Sequence, residues 1–202
     1  MRGRRHRRRR GRPAAAREHA ADLLGPLRAI AEPVMDTWHE TTPSAVLATH
    51  MDPEEPVPAM GDHLLLSDLG AEGAAEFLRL VGEGAESPLV LAGLRQLGGA
   101  LAVPDPAGGA LSHVDAPLLY SAAGIPMDPE STAAIAAYLA KVRAALAPWD
   151  TGRTAPTFVE SPHQPQRHLD DDRIAAVDAV RARVDPDGLF AGDIATNATF
   201  AR

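Results

Sequence analysis

Between residues 63 and 148, short apolar runs alternate with amphipathic patterns, and this rhythm restricts the chain to a small sheet with helices packed on it. Residues 63–66 predict a short strand, 70–81 a helix, and 88–97 a second strand closed by Gly98 and Gly99. A Pro/Gly-rich turn at 104–109 precedes a third apolar strand at 117–125. From Asp128, with Glu130 and Ser131 in its first turn, Ile135, Tyr138, Leu139, Val142 and Leu146 predict a long helix that ends at Pro148. Strand, helix, strand, strand, helix is the order of an α+β layer, an antiparallel sheet covered by helices on one face.

The flanks are read the same way. Ala20, Leu23, Leu24, Leu27 and Ile30 recur at three and four residues, so 14–32 predicts an amphipathic helix that Gly25-Pro26 should bend or split. A short helix or turn at 33–39 leads to a Pro-rich loop at 52–58. After Trp149 the sequence predicts an extended piece at 157–160, a Pro/His loop at 161–168 and a final helix at 170–184. Ile174, Val177 and Val180, with Ala176 or Arg181, are spaced for one buried face of that helix, and its three leading aspartates suit the positive end of its dipole. Asp185-Pro186-Asp187-Gly188 stops it.

Composition closes off several classes of function. The absence of cysteine excludes disulfides, thiolate metal sites, a Cys nucleophile and a thiol link to a cofactor. No apolar run approaches the roughly 20 residues needed to span a bilayer, and the N-terminus lacks an apolar signal stretch, so a cytoplasmic protein without membrane partners is expected. Eight of the 20 basic residues fall in the first 12 positions, which leaves the remainder strongly acidic. Such a body repels phosphate backbones, so nucleic acid is expected at most through the arm. Residues 1–13 read as a disordered basic arm with two accounts: a nucleic-acid or anionic-lipid arm, or GC-rich sequence translated ahead of the true start.

The closing helix with its basic last turn, followed by Val184-Asp185-Pro186-Asp187-Gly188-Leu189-Phe190, resembles the C-terminal segment of berberine-bridge-like flavoprotein oxidases of the vanillyl-alcohol-oxidase type. Three further stretches fall in the order and spacing of bacterial members. They are Leu94-Arg95-Gln96-Leu97-Gly98-Gly99-Ala100-Leu101, His113-Val114-Asp115-Ala116-Pro117, and Val142-Arg143-Ala144-Ala145-Leu146-Ala147-Pro148-Trp149 with Thr151-Gly152-Arg153. The likeness runs from about residue 17 to residue 190. It implies a partial substrate-binding domain at 14–150 and a berberine-bridge-like segment at 151–202 that packs on an FAD domain. It also implies FAD as cofactor, hydride transfer from a small organic substrate, and reoxidation by dioxygen. The glycine-rich loop that holds the FAD diphosphate has no match here, so a separate FAD-binding half, self-association and an inactive isolated chain are expected.

Candidate residues follow from the strands and from the resemblance. Arg95 and Gln96 interrupt an apolar strand, where a charge is costly to bury unless it is paired or faces a cavity; either one faces a substrate, or the strand has one solvated side. His113 alternates with Asp115 on a possible strand and is a substrate-binding candidate, the alternative being a satisfied turn. The resemblance sets Thr157 and Phe158 beside the isoalloxazine ring and Asp193 among the cofactor contacts after Phe190; a plain core role is the alternative for Phe158. Where relatives carry Tyr-x-Asn-aromatic, this chain has Ala155, Pro156, Thr157 and Phe158, with no phenol to take a proton. The catalytic residue is left unassigned, and a non-catalytic remnant or interaction module of the same fold is the second expectation. His163 and His168, ahead of Asp170 to Asp172, have the residue types of a metal site but not its spacing, and no metal is expected. His39, His50 and His63 with Asp62 form no base-and-nucleophile pattern.

Overall fold

The computed structural model describes residues 13–49, 55–159, 164 and 167–190, and the chain divides into two compact units, Met1–Glu54 and Glu55–Arg202. The basic arm up to residue 12, His163 and Asp193 lie outside the described residues.

In the first unit the helix α1 spans Pro13–Arg28 and runs through Pro26 rather than splitting there. Pro26 falls in the last turn, where its missing N–H removes a single ladder bond and Ala29 N–H still reaches the Gly25 carbonyl at 3.0 Å. The apolar stripe is not buried as the periodicity predicts: Leu23, Leu27 and Ile30 are exposed and Leu24 is half-buried. No helix forms at 33–39; a 3-10 helix spans Pro43–Thr49 instead. The bend between is held by Arg28, whose guanidinium donates to Asp36 at 2.7 Å and to the Trp38 carbonyl at 2.9 Å.

In the second unit, strands β1 (Met60–Leu66), β2 (Leu91–Gln96) and β3 (Leu118–Gly124) form an antiparallel sheet in the order β1-β3-β2. Helix α2 (Gly70–Val81) links β1 to β2, and β3 then enters between them, a split βαβ arrangement. The strand at 88–97 shortens to the six residues that pair with β3, while β1 begins three residues earlier than its hydrophobicity suggests, because Met60, Gly61 and Asp62 pair with Gly124, Ala123 and Ala122.

Alternation of side chains gives the sheet two different faces. On one, Leu64, Leu66, Tyr120 and Ala122 are buried beneath α2 and α3 (Pro129–Leu146). α3 presents Ile135, Leu139, Val142 and Leu146, a stripe at spacings of four and three, each burial contributing about 2 kcal/mol. Its start is fixed by a reciprocal cap: the Asp128 carboxylate accepts from Ser131 N–H at 2.7 Å, and Ser131 Oγ accepts from Asp128 N–H at 3.0 Å. Close approach needs glycine twice. A Cβ at Gly124 would lie 2.8 Å from Ile135, and one at Gly73 would lie 2.9 Å from the Trp149 ring.

The segment after α3 closes the free edge of β1. Ser67 N–H donates to the Trp149 carbonyl at 2.8 Å, and Thr151 reaches the Leu65 carbonyl through its N–H at 2.9 Å and its hydroxyl at 2.7 Å. The predicted extended piece at 157–160 is instead a 3-10 turn at Pro156–Phe158, for which the fixed φ of Pro156 is suited; Glu160 lies outside the described residues. The last helix, α4 (Asp171–Val184), starts at the Asp170 cap, whose carboxylate accepts from Arg173 N–H at 3.1 Å. No residue of α4 is fully buried; Ile174, Val177, Asp178 and Arg181 are half-buried and Val180 is exposed, so the expected core face is only a partial contact. Beyond it, the Asp185 carboxylate accepts from Leu189 N–H at 2.8 Å and Phe190 N–H at 3.0 Å, and Gly188 takes a φ of 64°. Among the described residues, no helix is long and apolar enough to cross a membrane.

Candidate functional site

The face of the sheet turned away from the helices carries the polar groups. In register across it lie His63, Ser121 and Gly93, with Leu65, Leu119 and Arg95 in the next row. The turn at Pro156–Phe158 folds onto these rows. Phe158 packs with Leu65, Ala116 and Leu119, its ring sits 5.8 Å from the His63 ring, and the Arg95 guanidinium lies 5.3 Å from its centroid. An exposed cation–π contact of this kind contributes about 0.5–1 kcal/mol and fixes where the charge stands.

His63 is 1% exposed, and its Nε2 accepts from Ala155 N–H at 3.1 Å. That bond assigns the remaining proton to Nδ1, which meets no hydrogen-bond partner of good geometry. Burial holds the imidazole below its ordinary pKa; the Asp62 charge pulls the other way and the Arg143 charge adds to the depression. His63 is therefore a neutral ring whose lone pair is already used, a donor rather than a base. Neighbouring Asp62 is clamped from α3: Arg143 Nε donates to Asp62 Oδ2 at 2.8 Å, Nη2 to Asp62 Oδ1, and Nη2 to the His63 carbonyl at 2.9 Å. Both tyrosines stand on the helix side. Tyr138 donates to the Leu80 carbonyl at 2.7 Å, and the Tyr120 hydroxyl is buried without a partner, its pKa pushed up by burial.

Toward β2 this face is uncovered. A Cβ on Gly93 would meet nothing within 4 Å, and Leu91 is 57% exposed. At the other end, a cavity of about 490 Å³ opens beside Leu65, between residues 110–115, 151–154 and 168–173. His113 and Asp115 both line it, from an irregular segment rather than the strand their alternation suggests, and His113 Nδ1 sits 3.2 Å from Ser112 Oγ. His168, 6% exposed, contributes a ring whose two nitrogens have no partner, and burial lowers its pKa.

The predicted residues thus separate. Arg95, Phe158 and exposed Thr157 gather at the polar face, His113 lines the cavity, and Gln96 projects to the opposite side of the sheet from Arg95, on the helix side with Leu94 and Ala92. Sequence reasoning weighed His63 and His168 only for nucleophile and metal patterns, quoted Arg143 and Arg153 only as motif residues, and did not single out Arg173. The alternation His63, Leu65 across from apolar Leu64, Leu66 was the available signal for His63. None existed for the rest, because the partners of Arg143 are 80 and 81 positions away in the chain and Arg153, His168 and Arg173 meet only in the wall of a cavity.

No family model matches this sequence, and no curated protein matches it. Two solved structures share the fold: BBE-like 1 of Physcomitrella patens in its wild-type form, with a TM-score of 0.59, and a variant of the same protein, with a TM-score of 0.60. Each is 12% identical, and the match covers 92% of this chain and 42% of the neighbour. The chain spans about two fifths of the length of these structures. The likeness is one of fold, the α+β sheet with helices on one face, shared with berberine-bridge-like enzymes.

Proposed function

We propose that this chain forms the substrate-side wall of an FAD-dependent oxidoreductase, with the polar face of the sheet meeting the isoalloxazine ring. The observation that carries it is the uncovered surface around Gly93, bordered by the cluster of Phe158, His63 and Arg95, in a fold shared with BBE-like enzymes. The residues fit the ring end of the cofactor: Gly93 and Ala123 are small and only half-buried, and Phe158 and Thr157 stand at the border. They do not form a diphosphate site. Gly98 and Gly99 lead only into the four-residue 3-10 turn Gly99–Ala102, and Gly108 and Gly109 lie in a loop, so neither starts a phosphate-gripping helix.

When bound, FAD supplies the hydride-accepting chemistry, with electrons passing on to dioxygen. The chain's own part is placement and electrostatics. Arg95 holds an exposed positive charge beside the face, and Phe158 packs over the buried, neutral His63. A second account, a binding module of the same fold without catalysis, is favoured by one feature: both phenols lie on the helix side, so no tyrosine base faces the ring.

The test is fluorescence titration of lumiflavin and FAD with the purified full chain, beside Gly93→Phe, which places a ring on the open surface at a position where an added Cβ meets nothing within 4 Å. Saturable quenching of both flavins, lost in Gly93→Phe at an unchanged melting temperature, is the expected result. No quenching by the parent, or quenching undiminished in the variant, rejects the proposal.

A further inference from the structure

The helix α1 turns its apolar side outward. Ala16, Ala20, Leu23, Leu27 and Ile30 recur at spacings of four and three, which aligns them on one side, and all five are exposed. Its intramolecular contacts use a different flank. Arg17 and Arg28 stand about three turns apart on that flank; Arg17 donates to the Glu40 carboxylate at 2.7 and 3.0 Å, and Arg28 to Asp36 at 2.7 Å and to the Trp38 carbonyl at 2.9 Å. The segment 36–40 is thereby fixed along the polar flank, and the stripe is left open. Glu18 and Asp22 fall on the far side of the helix, so no acid interrupts the stripe. The turn that follows adds Val34, Met35 and Trp38, all exposed. Among the described residues of the first unit none is fully buried, so these side chains have no core of their own. An apolar surface of this kind marks a place where something other than water is met.

What it meets is indicated by the charge of the chain that leads into it. α1 begins at Pro13, and the twelve residues before it carry eight arginines, Arg7 to Arg10 in succession, and no acid. Residues 1–54 hold ten arginines against seven acids, whereas residues 55–202 hold twenty acids against ten basic groups. The positive charge of the protein and its exposed apolar helix are thus adjoining segments. A nucleic acid would satisfy the arginines and offer Leu23, Leu27 and Ile30 nothing apolar. A protein groove would take the stripe, but an acidic rim matched to the arginines would also meet Glu18 and Asp22 as it enclosed the helix. An anionic bilayer supplies phosphate headgroups and, a few ångströms deeper, an acyl phase, and it touches a helix from one side, which leaves the acids in water.

We infer that the first unit is a peripheral anchor for an anionic lipid surface, with the arginines of residues 1–12 on the headgroups and α1 lying in the interface on its 16–30 stripe. Two signals act together. The arginines supply attraction that salt screens, and the stripe supplies burial that salt does not, the pairing of polybasic and apolar elements that holds a protein on a membrane without spanning it. Trp38, tied by its carbonyl to the last turn of α1, stands at headgroup level, where an indole is favoured. No long apolar run is needed, because a helix in the plane of the interface buries one side alone. This anchor rests on no part of the flavin reading, and its assay contains no flavin.

The experiment is flotation of the full-length protein with vesicles of equal parts phosphatidylglycerol and phosphatidylcholine, beside vesicles of phosphatidylcholine alone, with tryptophan fluorescence as a second readout. Anionic vesicles are expected to bind at least about a hundredfold more tightly than neutral ones. They should also shift the emission to the blue, a shift that Trp38→Phe removes. Replacing Arg7, Arg8, Arg9 and Arg10 together by glutamine should weaken binding by about a hundredfold. Leu23→Ser with Leu27→Ser should weaken it by at least about tenfold without moving the melting temperature, since both leucines are exposed. Equal binding to neutral vesicles, or none to anionic ones, would overturn the anchor, and so would anionic binding that the leucine pair leaves unchanged or a blue shift that survives Trp38→Phe. Tighter binding to a DNA duplex of about 20 base pairs than to anionic vesicles would overturn it in favour of a nucleic-acid arm. A self-associated protein that the leucine pair converts to monomer with vesicle binding intact would overturn it in favour of a second copy on the stripe.

Discussion

Replacing Arg143 by methionine should be the most damaging single change at the border between sheet and helices. The guanidinium makes three charge-assisted contacts, two to Asp62 and one to the His63 carbonyl, and so ties the last turn of α3 to β1, four residues ahead of the buried end of that strand. Asp62 is 10% exposed at its side chain and Arg143 29%, so neither charge is fully screened by water. Each charge-assisted bond has a net worth of about 1.5–3 kcal/mol, against about 2 kcal/mol of arginine rotamer entropy and the desolvation of both ions. Methionine also leaves the Asp62 carboxylate without its counter-charge, the condition under which loss of a buried partner is most costly. We expect a loss of about 2–4 kcal/mol for Arg143→Met and roughly half of that for Arg143→Lys, which keeps a charge without the fork. Asp62→Asn in the Arg143→Met background should recover part of the loss, with a coupling energy of about 1–3 kcal/mol. The assay is urea unfolding followed by Trp149 fluorescence in a Trp38→Phe background, so that the signal reports the second unit alone. A midpoint for Arg143→Met within about 0.5 kcal/mol of the parent, or strict additivity with Asp62→Asn, would refute the reasoning.

Three further outcomes are expected. Gly124→Ala should cost about 1–3 kcal/mol because its Cβ would sit 2.8 Å from Ile135, and Ile135→Val in the same chain should return part of this; a neutral Gly124→Ala would show that α3 yields freely. Asp128→Ala should cost about 1 kcal/mol by removing the carboxylate half of the α3 cap, measurable as a lowered melting temperature, whereas an unchanged melting temperature would count against the cap. The two buried histidines have folded pKa values depressed below the unfolded imidazole value of 6.5, so the unfolded chain binds protons first as the solution is acidified. Stability should therefore be fully present above that value and decline as pH falls through it toward the folded values, by at most about 1.4 kcal/mol per pH unit for each histidine. His63→Gln, which keeps an acceptor for Ala155, should reduce the slope, and urea midpoints that rise on acidification would contradict the sign.

Regularity explains which parts of the fold were legible. The helix at 70–81 is set by local periodicity and the long helix after Asp128 by periodicity together with a cap three residues across, and both stand where the spacing puts them. The strands were recognisable by their apolar cores but not by their ends, because Met60, Gly61 and Asp62 become strand only by pairing with β3. The apolar stripe of α1 and the face of α4 promised burial that the described residues do not provide: periodicity shows where a helix would bury itself and says nothing of what will cover it.

For the motifs the outcome is different in kind. Arg143, Trp149, Thr151 and Asp185 are the residues by which the sequence resembles a flavoenzyme, and in the structure each holds backbone or packs a helix: Arg143 on β1, Trp149 against Gly73, Thr151 on Leu65, Asp185 on the turn to Phe190. By itself the sequence determined the α+β class, the two principal helices, the lack of thiol chemistry and the family likeness, since these depend on residue type and short-range spacing. Only the tertiary structure decided that Arg95 and Gln96 part to opposite faces, that His63 is a neutral donor beneath Phe158, and that Arg153, Arg173 and His168 converge on one cavity. Those properties come from strand register and from segments distant in sequence brought into contact, and neither is written in the local order of the residues.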